Sequence, residues 1–366
     1  VTRPNEFAHW DPRLIDGPVV AAASALNGLG FDPWQTWAFR RAELTAYAAS
    51  AFRCPNGKAL TMGAIRTFPP QARAELRMES IVTALLDAIA PDVEALGPVR
   101  GLAALVTLSA LPSPGDPGYQ SRASRIVRRV NDWLVERLPP GASVVVEHDH
   151  RAHAGLAHAL LRAVPALLED RIDAALLLGV ESYYDPDVLS SLFAGGRLHD
   201  GENLDGFIPG EGGAALLVVK ASRARAMGRG VRARIEGAAT AWEAARPDND
   251  VPCLGDALTA VTRSLTDVLA AQRRPLDWWL CDVTGDALRQ HEFQLAWPRA
   301  GYDVMGPTSA LEYLPETLGD LGAATLHTAV AVAGEGFLRG DPAAETCLVT
   351  GSSDEGPRGA VLLSRG

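Results

Sequence analysis

The run Asp205-Gly-Phe-Ile-Pro-Gly-Glu-Gly-Gly, followed by six apolar residues from Ala214 to Val219, constrains this chain more than any other stretch. Glycines and a proline set a tight turn around Glu211, because glycine enters crowded backbone without steric cost. The apolar run then reads as a fully buried strand. Gly210, Glu211 and Gly212 are expected to be structural. The glycines let backbones approach closely, and a buried glutamate there accepts backbone hydrogen bonds.

The rest of the chain alternates strand and helix patterns. Residues 18–24 read as a first strand, and a helix follows from Pro33. Residues 79–89 have helical apolar spacing, Gly101–Thr107 reads as a strand, and three prolines with two glycines make residues 111–120 a loop. Residues 119–138 form an amphipathic helix on which Arg122, Arg125, Arg128 and Arg129 share roughly one face. Strands at 143–146 and 173–179 are expected to be neighbours flanking a helix from Gly155. In the second half, 231–236, Leu276–Cys281, 346–350 and 360–363 read as strands, the last two as a closing hairpin. Residues 257–272 and 321–338 read as helices. Such alternation argues for an α/β class with a largely parallel sheet. The expected division is an extension at 1–17 and two halves of similar make-up, 18–225 and 226–366.

A chain of 366 residues can bury one large core or two fused ones. With 47% hydrophobic and 21% charged residues, its composition is that of a soluble globular protein. No stretch reaches the roughly eighteen apolar residues of a membrane-spanning helix. The first residues lack the basic-then-apolar pattern of a signal peptide. Cys54, Cys253, Cys281 and Cys347 are far apart and read as reduced thiols. The net charge of −10 opposes nucleic-acid binding. A cytoplasmic protein without membrane or nucleic-acid partners is expected.

The turn containing Gly206, Phe207, Gly210, Glu211 and Gly212 resembles the D-G-F-V-x-G-E-G-x-G signature of β-ketoacyl synthases, the carbon–carbon condensing enzymes of the thiolase superfamily. The resemblance implies a thiolase-like fold of two duplicated halves in five layers, α-β-α-β-α, usually in a homodimer. It also implies where catalytic residues belong. The family places a cysteine nucleophile at the start of a buried helix, where the helix dipole and backbone N–H groups activate the thiol. Arg171-Ile-Asp-Ala-Ala-Leu-Leu-Leu-Gly-Val-Glu-Ser182 resembles the strand and turn that follow that helix. Counting back from it puts His153 at the nucleophile position, or Ala152 or Ala154 with a one-residue shift. Asp277-Trp-Trp-Leu-Cys-Asp-Val-Thr284 resembles the D-Y-I-N-A-H-G-T motif, with Asp282 in place of the first histidine. Glu316-Thr-Leu-Gly-Asp-Leu-Gly-Ala-Ala-Thr325 resembles the K-x-x-x-G-H run, with Asp320 or Gly319 in place of the second. All three catalytic positions of the resemblance are altered.

Two other clusters invite a chemical reading. Glu147-His-Asp-His-Arg-Ala-His153 packs three histidines and two acids into seven residues, yet matches no standard zinc spacing and reads as a solvated loop. Asp200-Gly-Glu-Asn-Leu-Asp-Gly206 lacks the calcium-loop pattern and reads as a surface turn. No metal and no cofactor is therefore expected. Trp278 and Trp279 read as core residues. His153, Asp282 and Asp320 are expected to converge, either as a mutually satisfied polar cluster in a disused pocket or as a general base with its partners.

The resemblance thus implies a non-condensing thiolase-fold protein that serves as scaffold, heterodimer partner or adaptor. Polyketide or fatty-acid assembly is one setting. The similarity of short divergent relatives to proteins encoded near type VI secretion components suggests another. Its partners would be itself, another thiolase-fold or adaptor protein, an acyl carrier protein or acyl-coenzyme A. The alternative is an acyltransferase or thioester hydrolase using His153 with Asp282 or Asp320.

Overall fold

The computed structural model describes residues 5–11, 13–109 and 117–366. The first half contains β1 (Glu6–His9), β2 (Pro18–Asn27), α1 (Pro33–Arg41), a hairpin of β3 (Ala48–Arg53) and β4 (Ala59–Met62), α2 (Ala74–Glu94), β5 (Gly101–Thr107) and α3 (Pro117–Arg137). It continues through β6 (Ser143–Asp149), α4 (Gly155–Leu168), β7 (Ala174–Ser182), α5 (Pro186–Ala194), β8 (Glu211–Lys220) and α6 (Ala221–Ala226). The second half holds β9 (Ala233–Trp242), α7 (Asp256–Ala271), β10 (Leu276–Cys281), α8 (Ala287–Ala300), β11 (Met305–Tyr313) and α9 (Pro315–Leu318). It ends with α10 (Thr325–Arg339), β12 (Thr346–Ser352) and β13 (Pro357–Ser364).

Both halves use one strand plan. The first sheet runs β6-β5-β7-β8-β2 and the second β11-β10-β12-β13-β9, so third, second, fourth, fifth and first strands follow in the same order. In each order the first three strands and the last run in one direction, and the fourth runs antiparallel to both its neighbours. Antiparallel pairing of Val19 with Arg234 and Val20 with Ala233 joins the sheets edge to edge.

Three cores give five layers. Helices α2 and α3 cover the outer face of the first sheet through Ile81, Leu85, Ile126 and Val130. Helices α7 and α8 cover the outer face of the second through Val261, Leu265 and Phe293. Between the sheets lie α4 and α10, where Leu156, Leu160, Leu326 and Val330 meet both inner faces. Every residue of α10 from Thr325 to Phe337 is buried, the mark of a helix enclosed on all sides. Trp278 and Trp279 point to opposite faces of β10, one into the central core and one into the outer core.

The sequence expectations need correction in two places. Strands β6 and β7 are not neighbours, because β5 lies between them. Each parallel step needs a helical crossover, and the one through α4 passes over a strand already in place. Residues 117–120 of the expected loop are the first turn of α3, and residues 110–116 lie outside the described residues. The arginines of α3 differ in their surroundings. Arg122 is buried, while Arg125 and Arg129 pair with Glu79 on α2. Glu211 accepts a backbone hydrogen bond as expected and adds a buried ion pair.

Glu211 has no solvent exposure. Its Oε1 accepts from the Ile65 amide at 2.8 Å and from Arg77 Nη1 at 2.8 Å, and its Oε2 accepts from Ser182 Oγ at 2.7 Å. The Arg77 guanidinium stacks 3.7 Å from the Tyr184 ring centre. Removing one member of such a pair leaves an uncompensated buried charge. Arg77→Ala should therefore cost about 3–5 kcal/mol in urea unfolding. A loss below about 1 kcal/mol, the worth of an exposed pair, would remove the bridge from the fold's supports.

Candidate functional site

The two halves meet at equivalent points. After its third strand, each half makes a short 3-10 turn, Ala152–Ala154 or Gly322–Ala324, that runs into a central helix. His153 sits in the first turn and Asp320 two residues before the second. Ala152 has a φ of 44°, a left-handed conformation uncommon outside glycine. Gly351 lets β12 approach this turn, since a Cβ there would lie 2.7 Å from the His153 carbonyl oxygen.

The glycine-rich turn before β8 fixes the Asp320 segment. The Asp320 amide donates to the Ile208 carbonyl at 2.8 Å, and the Gly210 amide donates to the Asp320 carbonyl at 2.8 Å. A Cβ at Gly210 would lie 2.8 Å from the carbonyl oxygens of Leu318 and Asp320, so only glycine fits.

Within that frame the Asp320 carboxylate is fully buried. Its Oδ1 meets His153 Nε2 at 2.8 Å, accepts from the Gly322 amide at 2.7 Å and lies 3.4 Å from the Tyr183 hydroxyl. Its Oδ2 accepts from Arg289 Nη1. Arg289 is set in the first turn of α8 by Asp286, whose Oδ1 caps the Leu288 and Arg289 amides. Its Nη2 donates to Asp354 at 3.0 Å. Arg197 then joins Asp354 at 2.8 Å and Asp286 at 2.9 Å. The result is an alternating chain of charges running inward to His153.

Burial works against the His153 imidazolium, but Asp320 outweighs it and holds the ring above its ordinary value. Burial likewise opposes the Asp320 carboxylate, and His153 and Arg289 overcome it, holding the group far below the carboxylate range. Asp282 behaves differently. Burial raises it, only partly countered by Arg289 and His153. Its Oδ2 accepts from the Ser352 amide at 2.6 Å.

Of the three expected site residues, His153 and Asp320 are thus in direct contact. Asp282 shares the cluster but turns to β12. Arg289, Arg197 and Asp354 complete the cluster without having been expected from sequence. The only local signal for Arg289 is the N-capping Asp286 three residues earlier.

A second buried carboxyl, Glu181, lies at the end of β7. It accepts from the Ser182 amide at 3.0 Å and the Ala323 amide at 3.3 Å. Burial pushes it up to about 7, against the opposing pull of Arg122 and these amides. His327, also buried in α10, is held neutral by burial, down to about 3.

No cysteine occupies the helix-start turn. Cys281 precedes Asp282 but belongs to the outer core with Trp279 and Phe293, and burial raises its thiol well above the ordinary value. Among the described residues, no group of three His, Cys, Asp or Glu is arranged to hold a metal ion. No described helix is long and apolar enough to cross a membrane. A cavity of about 570 Å³ opens beside the cluster, walled by Gly206, Ile208, Val283, Thr284 and Phe293. His153, Asp282 and Asp320 do not line it.

No protein-family model and no curated protein matches this chain. Solved structures do. A ketosynthase from module 6 of the bacillaene synthase of Bacillus subtilis 168 matches with a TM-score of 0.73 at 13% identity, over 96% of this chain and 72% of that one. A type II PKS acyl-carrier protein in complex with its ketosynthase bound to the hexaketide gives 0.74 at 15%, over 96% and 99%. The ishigamide ketosynthase/chain length factor gives 0.77 at 16%, over 96% and 99%. The fold is accordingly a thiolase-like, ketosynthase-type α/β fold.

Glu181 gives the site a measurable pH signature. Its folded value of about 7 exceeds its ordinary value of 4.5, so the fold favours the protonated form. The stability it contributes is complete below 4.5 and is lost as pH rises toward 7. That loss is about 3 kcal/mol. Raised His153 acts in the same direction, losing its contribution as pH climbs through its folded value. Glu181→Gln should flatten the decline in unfolding free energy between pH 4.5 and 7. An unchanged slope would mean that Glu181 stays ionised in the fold.

Proposed function

We propose that this chain is a thiolase-fold protein that no longer condenses carbon chains and works by binding, as a heterodimer partner, scaffold or adaptor. The observation that carries this reading is the His153–Asp320–Arg289 contact. At the helix start, where ketosynthase-like chemistry needs a thiol, a buried imidazole stands with its Nε2 committed to a carboxylate. A general base needs a lone pair within reach of substrate. Here Nε2 faces Asp320, Nδ1 is buried without a hydrogen-bond partner, and the nearby cavity does not reach the ring.

The fold also offers a place for a partner. Strand β6 ends the first sheet and pairs only with β5 among the described residues, and Val145 on it is 49% exposed. An open sheet edge with exposed apolar side chains is a template for pairing with another chain. We assign the partner contact to this edge, whether the second chain is another copy or a different thiolase-fold subunit.

Mass-spectrometric assay of acyl- and malonyl-thioesters, on coenzyme A and on carrier protein, tests the first claim. The protein and its His153→Ala variant should both give no turnover while remaining folded. Turnover that disappears in the variant would make His153, with Asp320 or Asp282, the base of an acyltransferase or thioester hydrolase. Sedimentation tests the second claim. Val145→Glu should shift an assembled species toward monomer, and an unchanged assembly would move the interface elsewhere.

A further inference from the structure

We infer that the cavity beside the buried cluster is a docking site for an extended segment of a partner protein that carries a large apolar side chain next to lysine or arginine. The inference rests on the binding role proposed above and names the partner's chemistry.

The cavity, at about 570 Å³, lies within the size range of ordinary ligand sites. Its walls are apolar and aromatic: Ile208, Val283, Phe293, Tyr313 and Pro315, with Leu204 standing 69% exposed at the rim. Phe293 and Tyr313 meet edge to face with ring centres 6.1 Å apart, giving a firm aromatic floor. The Tyr47 hydroxyl donates to the Pro315 carbonyl and braces the opposite wall.

Glu316 is an exposed lining carboxylate, and the loop that supplies His199, Leu204 and Gly206 also carries exposed Glu202 and Asp205. Among the described residues, no lysine or arginine lines the cavity, and His199 is its one basic side chain. Arg40, the cation whose field reaches Glu316, has a buried side chain committed to Glu312 and Thr317. Arg66, a second cation near the wall, has its guanidinium on the Tyr47 carbonyl at 3.2 Å. Exposed carboxylates at the rim repel the phosphates of coenzyme A or a phosphopantetheine arm and attract a basic group.

The fold favours a peptide over a free amine. Tyr313 ends β11, the last strand of the second sheet, which pairs only with β10 among the described residues. An extended segment can add main-chain hydrogen bonds at such an edge while one side chain fills a neighbouring pocket.

The test is fluorescence anisotropy on the intact protein at physiological salt. The probes are a labelled ten-residue peptide of alternating lysine and leucine, its twin with glutamate for lysine, and decanoyl-coenzyme A as competitor. The lysine peptide should bind at least about tenfold tighter than its twin. Glu316→Lys should weaken it by about fivefold or more. Gln290→Trp, a substitution at an exposed lining position, should abolish binding by filling the cavity. Thermal unfolding checks that both variants remain folded. Equal binding of the two peptides, binding that survives both substitutions, or displacement by decanoyl-coenzyme A would each overturn the inference. Peptide failure without thioester turnover leaves the binding role at the β6 edge intact. Thioester turnover would instead remove the reading on which this inference rests.

Discussion

A carboxylate shut away from water must be matched by opposite charge and by hydrogen bonds, or it will not stay ionised. Asp320 meets that demand with groups from widely separated parts of the chain. His153 comes from the turn before α4, Arg289 from α8, Tyr183 from the end of β7 and the Gly322 amide from its own turn. None of these groups is held in place by its immediate neighbours alone. The cluster forms only when both sheets, both central helices and the glycine-rich turn are in position. The turn is itself anchored by a second buried charge pair, Glu211 with Arg77, on its other side. Two buried ion pairs thus bracket one turn, in which a Cβ at Gly210 or Gly212 would lie 2.8 Å from a backbone carbonyl oxygen.

The same interactions decide what the site can do. Catalysis by an imidazole requires a ring whose proton affinity suits the working pH and whose nitrogen faces substrate. Asp320 raises the affinity, Arg289 fixes Asp320, and Asp354 and Arg197 fix Arg289. Each added partner makes the charges cheaper to bury and the ring less free to react. The polar groups of this cluster are directed at one another. The space available to a ligand lies outward, past Val283 and Thr284, where the walls are aromatic and the rim acidic.

The sequence carried the layers better than the contacts. The apolar run after Glu211, the small-residue helix that became α10 and the closing hairpin are all local patterns, and local patterns survive without knowledge of partners. The order of β6, β5 and β7 does not, because a crossover's path is set by the completed sheet. Strand β11 escaped notice because Gly306 and Pro307 break its β pattern, and α8 because its charged residues and Pro298 dilute the helical one. His153 and Asp320 could be placed together only through the motifs that flank them. Arg289 could not be placed at all. It reaches Asp320 across 31 residues and a change of layer, and nothing beside it marks its direction. Glu211 shows the same limit: its burial was legible, but Arg77 lies 134 residues away.

The duplicated fold gives the His153–Asp320 contact a further meaning. His153 stands in the turn that leads into α4, and Asp320 stands two residues before the matching turn that leads into α10. Bringing those points together is what the five-layer arrangement does geometrically, whatever side chains they carry. Groups that supply chemistry there must tolerate crowding from the opposite half. A charge pair fills the same space and ties the halves together instead. Because the atoms are shared, a side chain committed to the tie is withdrawn from the chemistry. In this chain the His153–Asp320 pair supplies that tie.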